Sequence, residues 1–170
     1  SPSKRRTLFE KIGWVDNDPM LTKVYLEPTT RCNLRCRACM RESWNEIPGD
    51  MDMGTFQAFI ESASRIDSLR TVGFWGFGEP LCHPRIIEMI RQTKALGLET
   101  EMISNAILLD SAMAEALVDA GLDLLVVSLD GADTSSQAEF RGGADLNAIL
   151  HNLENLKAVS KKRGKQKPEL

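Results

Sequence analysis

Three thiols fall within eight residues of this chain: Cys32, Cys36 and Cys39, spaced C-x3-C-x2-C. Soft thiolates select iron-sulfur clusters or zinc. Three of them can hold three irons of a cubane [4Fe-4S] cluster and leave the fourth iron open to a small molecule. A zinc ion would want a fourth ligand, which Cys82 or His83 can supply. Cys36 and Cys39 alone form a Cys-x-x-Cys pair suited to thiol–disulfide exchange, and inert free thiols complete the alternatives. Arg31, Arg35 and Arg37 set positive charge beside the cysteines, which favours the thiolate form.

A second group of polar residues lies further along. Gly76-Phe77-Gly78-Glu79-Pro80 joins two glycines to a carboxylate in one short run. Asn105, Ser128, Asp130 and Arg141 follow. Each has a plainer reading: turn glycines, a surface carboxylate, or side chains that cap turns. Cys82 reads as an incidental thiol and His151 as a solvent-facing helix residue.

These residues acquire meaning from the elements between them. A β-prone run at 24–26 ends at Glu27-Pro28, and the cysteine loop follows at once. Asp52 caps a predicted helix through residue 66, with Phe56, Phe59, Ile60, Ala63 and Ile66 as its apolar stripe. A second strand at 71–75 runs into the glycine-rich stretch. Pro84 sits near the start of a second helix, which Gly97 ends. A third strand at 98–103 precedes Asn105, and a third helix at 111–120 is closed by Gly121. The apolar run Leu124-Leu125-Val126-Val127 suits a fourth strand buried on both faces. A polar loop carrying Arg141-Gly142-Gly143 leads to a helix capped by Asp145, with Lys161, Lys162 and Arg163 at its end. Residues 167–170 read as a further strand beginning. The order is βα four times, which predicts a parallel sheet with helices outside it. Every polar motif follows the C-terminal end of a strand, the edge where βα folds bind ligands.

Apolar residues at 42% and charged residues at 26% are those of an ordinary globular protein. A formal net charge of -3 excludes wholesale nucleic-acid binding, and no stretch is apolar and long enough to cross a membrane. A cytoplasmic location is the expectation, and there clustered cysteines read as metal or catalytic groups. Residues 1–19, with the basic patch Lys4-Arg5-Arg6 and a helical turn near Leu8 to Ile12, are expected to form a mobile extension. Residues 20–170 are expected to be one incomplete core domain. Strand four would otherwise be left as an exposed edge, so the chain reads as part of a longer βα protein.

Taken together, the motifs resemble those of the radical S-adenosylmethionine (radical SAM) superfamily, over about residues 20 to 170. The resemblance implies the first four βα units of a partial (β/α) barrel. It assigns Cys32, Cys36 and Cys39 to a [4Fe-4S] cluster whose open iron chelates S-adenosylmethionine. Gly76, Gly78, Glu79 and Pro80 are similar to the glycine-glycine-glutamate-proline motif at the methionine end. Asn105, Ser128, Asp130 and Arg141 match further cofactor-facing positions. It implies reductive cleavage to a 5′-deoxyadenosyl radical that abstracts hydrogen from a small-molecule, peptide or protein substrate, with a reductant such as ferredoxin or flavodoxin. The segment alone is expected to carry a labile cluster and lack turnover. Two departures stand out. Ala38 replaces an aromatic residue usual before the third cysteine, close to the adenine, and Phe77 replaces the first glycine of the pair. Within the superfamily the stretch resembles the MoaA-like and SPASM-type maturase branch. Residues 74–81 look most like maturases of tungsten-containing aldehyde oxidoreductases, which points to cofactor biosynthesis or protein maturation.

Overall fold

The computed structural model describes residues 20–45 and 47–170. The basic patch and the helical turn expected near Leu8 lie outside the described residues. Four strands, β1 (Lys23–Leu26), β2 (Thr71–Phe74), β3 (Glu99–Ser104) and β4 (Leu124–Val127), form one parallel sheet in sequence order. Each crossover carries helix: α1 (Met53–Ala63), α2 (Ile86–Ala95) and α3 (Ser111–Ala120). After β4 come α4 (Thr134–Phe140) and α5 (Leu146–Lys162).

The helices start and stop where local chemistry directs. Asp52 and Asp145 cap α1 and α5 as expected, by accepting backbone N–H groups that lack intrahelical partners. Gly121 closes α3 at φ +86°, a left-handed conformation that favours glycine. The α4 helix stands where a polar loop was expected. Asp133 and Ser136 cap its first turn reciprocally, and that capping box supplies what its weak apolar pattern lacks.

One face of the sheet carries the core. Val72, Phe74, Met102 and Leu125 are fully buried against Phe56 of α1, Met89 and Ile90 of α2, Leu117 of α3 and Ile149 of α5. Register brings Tyr25, Gly73 and Glu101 into one row on the opposite face. There Tyr25 is exposed and stacks on Trp75, with ring centroids 4.1 Å apart. Strand β4 is therefore not buried on both faces. Leu125 is covered by helices, while Val126, which points the other way, is 42% exposed. Where a strand was expected to begin near residue 167, the structure has a single isolated parallel bridge. Glu169 pairs with β4 in parallel, accepting from the Leu125 N–H at 2.9 Å and donating its own N–H to the Asp123 carbonyl at 3.0 Å.

Candidate active site

The cysteine loop is clamped at its root before it reaches its cysteines. Thr29 forms an antiparallel bridge with Asp50, and the Met51 N–H donates to the Pro28 carbonyl at 2.8 Å. From the other side, the Glu79 N–H donates to the Arg31 carbonyl at 2.7 Å. Gly78 is what permits that approach. A Cβ there would stand 1.9 Å from the Thr29 carbonyl oxygen. Glu27, at the end of β1, holds the same glycine-rich turn. Its Oε1 accepts the N–H groups of Phe77 at 2.6 Å and Gly78 at 3.3 Å, and a Cβ on Gly76 would overlap its side chain.

Beyond the clamp, Leu34 is buried and anchors the loop to the core. The Leu34 N–H points at Cys32 Sγ at 3.4 Å, and the Cys39 N–H donates to the Cys36 carbonyl at 3.0 Å. The loop's far end is tied to α4, where the Arg37 N–H donates to the Phe140 carbonyl at 3.0 Å. Cys32, Cys36 and Cys39 are free, half-buried thiols that line one cavity of about 470 Å³.

Gly76, Gly78, Glu79, Asn105, Ser128, Asp130 and Arg141 line the same cavity. Pro80 stands behind them, buried at the start of a 3-10 turn (Pro80–Cys82). The two positions that depart from the family pattern also face the cavity, with Ala38 small and Phe77 nearly half exposed. Phe77 meets Trp44 edge-to-face at 4.8 Å. Phe140 adds a second exposed aromatic ring to the lining.

Glu79 is the most constrained of these groups. It is 3% exposed. Oε1 accepts from Ser104 Oγ at 2.7 Å and from the Leu81 N–H at 3.1 Å, while Oε2 accepts from the Asn105 N–H at 2.8 Å. Burial raises its pKa above the ordinary glutamate value, and these donors oppose the shift. A carboxylate has about four lone-pair sites. Three are taken, so the open one is on Oε2.

The positive charge that acts on the thiols is not where the sequence placed it. Arg31 pairs with Asp50 at 3.5 Å, Arg37 pairs with Glu139, and Arg35 is exposed. Arg41 and Arg141 line the cavity instead. Burial pushes the thiols of Cys32 and Cys36 up, and the guanidinium groups of Arg41 and Arg141 respectively oppose that rise. Arg141 Nε stands 2.5 Å from Asp130 Oδ2, yet it lacks an aligned acceptor, so the contact is a charge pair and not a directed hydrogen bond.

The donor set, three free thiols on one cavity, suits a cubane with one iron left open. Among the described residues, no group of three or more His, Cys, Asp or Glu side chains is gathered to share one ion. Thiolates on separate irons of a cluster stand further apart than ligands on one metal. His83 is also spoken for. Its Nδ1 accepts from the Arg85 N–H at 3.1 Å, so Nε2 carries the proton and donates to the Met51 carbonyl at 3.0 Å. Neither nitrogen is free to ligate.

Reading the sequence alone overlooked Glu27, Asn33, Arg41, Ser104 and Phe140. Glu27 and Ser104 end strands, and that position was the available signal. Asn33 is recruited by Asn105 Nδ2 at 2.8 Å, a contact 72 residues apart in sequence. Arg41 lies two residues past the last cysteine and was passed over for arginines within the motif.

Comparison with known proteins gives the same grouping. The family model described as "Radical SAM superfamily" matches residues 26–165. The tungsten-containing aldehyde ferredoxin oxidoreductase cofactor-modifying protein of Pyrococcus furiosus is 32% identical over 147 residues, covering 86% of this chain and 41% of that protein. The GTP 3',8-cyclase of Chlorobaculum tepidum is 39% identical over 118 residues, covering 65% and 33%. The chain thus spans well under half the length of these relatives. Among solved structures, Streptococcus suis SuiB bound to S-adenosylmethionine superposes with a TM-score of 0.71 at 18% identity, over 93% of this chain and 36% of that one. At that identity the likeness bears on fold alone, and the shared fold contains the parallel βα sheet described above.

Proposed function

We propose, for a chain that belongs to the radical SAM superfamily, that Cys32, Cys36 and Cys39 hold a [4Fe-4S] cluster and that the cavity beside them binds S-adenosylmethionine. When bound together, these cofactors supply reductive cleavage of the sulfonium to a 5′-deoxyadenosyl radical, which takes hydrogen from a substrate. The observation that carries the reading is the opening of three half-buried thiols and the buried Glu79 carboxylate into one cavity.

The chain's own residues divide the work. Glu79 Oε2 has one acceptor site left, and it suits the ammonium of the methionine part. Gly76 and Gly78 keep the backbone close, with Pro80 fixing the turn behind them. Arg141 offers a guanidinium beside Cys36 for the ligand carboxylate. Ser128 and Asp130 offer acceptors at the end of β4 for ribose hydroxyls, and Asn105 orients the loop through Asn33. Phe77 and Phe140 give the cavity apolar ring surface that Ala38 does not. In this reading the substrate is a cofactor precursor, peptide or protein, reduction comes from a ferredoxin or flavodoxin, and the protein works in the cytoplasm. No helix among the described residues is long and apolar enough to cross a membrane.

Anaerobic reconstitution of the complete protein tests this. About four irons and four sulfides per chain are expected, with an electron paramagnetic resonance signal of the reduced cluster that changes when S-adenosylmethionine is added, and formation of 5′-deoxyadenosine. One tightly held zinc, with no uptake of iron and sulfide, would overturn the reading.

A further inference from the structure

One buried amide stands behind the far wall of the cavity and is not among the residues that line it. Gln137, in α4, is fully buried. Its Oε1 accepts the backbone N–H groups of Asp130 at 3.0 Å and Gly131 at 2.9 Å. Its own backbone carbonyl accepts the Arg141 N–H at 2.9 Å. Asp130 and Arg141 are the charge pair on the cavity wall, so one residue sets the backbone of both. The packing leaves no slack, because a Cβ on Gly131 would stand 2.1 Å from the Gln137 nitrogen. The donor end of the amide behaves differently: Nε2 is buried and has no partner. An unpaired buried donor is costly. Its retention is explained by the acceptor end, which satisfies two N–H groups at a strand-to-helix corner that cannot form regular structure.

We propose that Gln137 is a positioning residue for the cofactor. It works through Oε1 alone: it fixes the Asp130 and Gly131 backbone, and through the Asp130 carboxylate it orients Arg141 toward the S-adenosylmethionine side of the cavity. The proposal rests on the functional reading above. The amide's length and acceptor matter, and its donor does not. Gln137→Met keeps length and shape but loses the acceptor. Gln137→Glu keeps the acceptor and loses only the unpartnered donor, with the two N–H groups and nearby Arg141 to receive its charge.

The test compares the three forms of the complete, reconstituted protein by iron content, by S-adenosylmethionine binding under anaerobic conditions, and by backbone hydrogen exchange. Gln137→Met is expected to keep the wild-type iron content, bind about tenfold more weakly, and exchange faster at Asp130 and Gly131. Gln137→Glu is expected to bind within about threefold of wild type and restore slow exchange. Unchanged binding in Gln137→Met overturns the proposal, as does a Gln137→Glu variant as weak as Gln137→Met. If the wild type binds no S-adenosylmethionine, the functional reading fails, and the exchange rates at Asp130 and Gly131 still decide whether Gln137 orders this corner.

Discussion

The Asn105 backbone N–H donates to Glu79 Oε2 at 2.8 Å, joining the loop after β3 to the loop after β2. The Asn105 side chain then reaches Asn33 in the cysteine loop at 2.8 Å. The three strand ends are thus linked in series, so the position of the buried carboxylate and the path of the thiol loop are set together. Removing the charge of Glu79 tests the link. Glu79→Gln keeps the size but loses the charge-assisted contact to a ligand ammonium, so S-adenosylmethionine affinity is expected to fall about tenfold. Iron content should hold. Equal affinity in the two proteins would remove Glu79 from the binding role.

The same carboxylate leaves a mark on pH dependence. Burial raises its pKa in the folded chain, so the folded state holds its proton more tightly than the unfolded state does. The contribution of Glu79 to stability is fully present below the unfolded value of about 4.3 and is lost as pH rises through the folded value. Chemical denaturation across that window should show the loss in wild type and not in Glu79→Gln. A slope of the same size in both proteins would contradict the burial argument.

Asp123 has the opposite sign and lies at the other end of the sheet. Burial pushes its pKa up, but Lys94 at 2.6 Å, the Thr100 N–H at 2.8 Å and Lys167 at 3.0 Å outweigh it, and the net shift is downward. Its stabilisation is present above the unfolded value of about 3.9 and disappears as pH falls through the folded value. Asp123→Asn is expected to cost about 2 kcal/mol, with S-adenosylmethionine affinity unchanged because Asp123 lies just before β4, at the edge away from the cavity. Weaker cofactor binding in this variant would mean that the two edges are coupled.

Gly78 and Gly49 make a matched pair of substitutions on the two sides of the clamp. A Cβ at Gly78 meets backbone, at 1.9 Å from the Thr29 carbonyl oxygen and 2.9 Å from that of Arg31, whereas at Gly49 it meets nothing within 4 Å. Gly78→Ala is expected to cost about 3 kcal/mol or more, because carbonyls cannot rotate away as a side chain can. Gly49→Ala should stay within about 0.5 kcal/mol of wild type. Thermal melts of the two variants decide it, and a stable Gly78→Ala would show that the loops can separate.

Strand order and the main helices were legible because their signals are local. Period-2 and period-3.6 apolar patterns, Asp caps and closing glycines each occupy a few neighbouring residues. Placing Gly78, Glu79, Asn105 and Ser128 on one edge needed only the rule that βα loops converge. What stayed hidden depends on distant partners. The strand-end position of Glu27 marks the right edge of the sheet, but its partners are two N–H groups about 50 residues away, which no local pattern names. Helix α4 was missed because its apolar pattern is weak and its capping box carries the signal. Val126 was placed inside because an apolar run does not say which of two faces the fold covers.

The arginines give the sharpest contrast between motif and structure. Arg31, Arg35 and Arg37 are interleaved with the cysteines, yet Arg31 and Arg37 are engaged by Asp50 and Glu139 and Arg35 is exposed. Arg41 lines the cavity, reaches toward the Leu34 carbonyl at 3.5 Å, and lowers the pKa of Cys32 against the effect of burial. A nearby cation stabilises the more negative, reduced form of a cluster, so net charge around the site tunes its potential. Arg41→Met is therefore expected to make the reconstituted cluster harder to reduce, moving its midpoint potential to more negative values. Arg31→Met should leave the potential where it is, since Asp50 already offsets that charge. A redox titration followed by electron paramagnetic resonance distinguishes the two. If Arg31→Met shifts the potential and Arg41→Met does not, adjacency in sequence governs the electrostatics of this site and the cavity geometry does not.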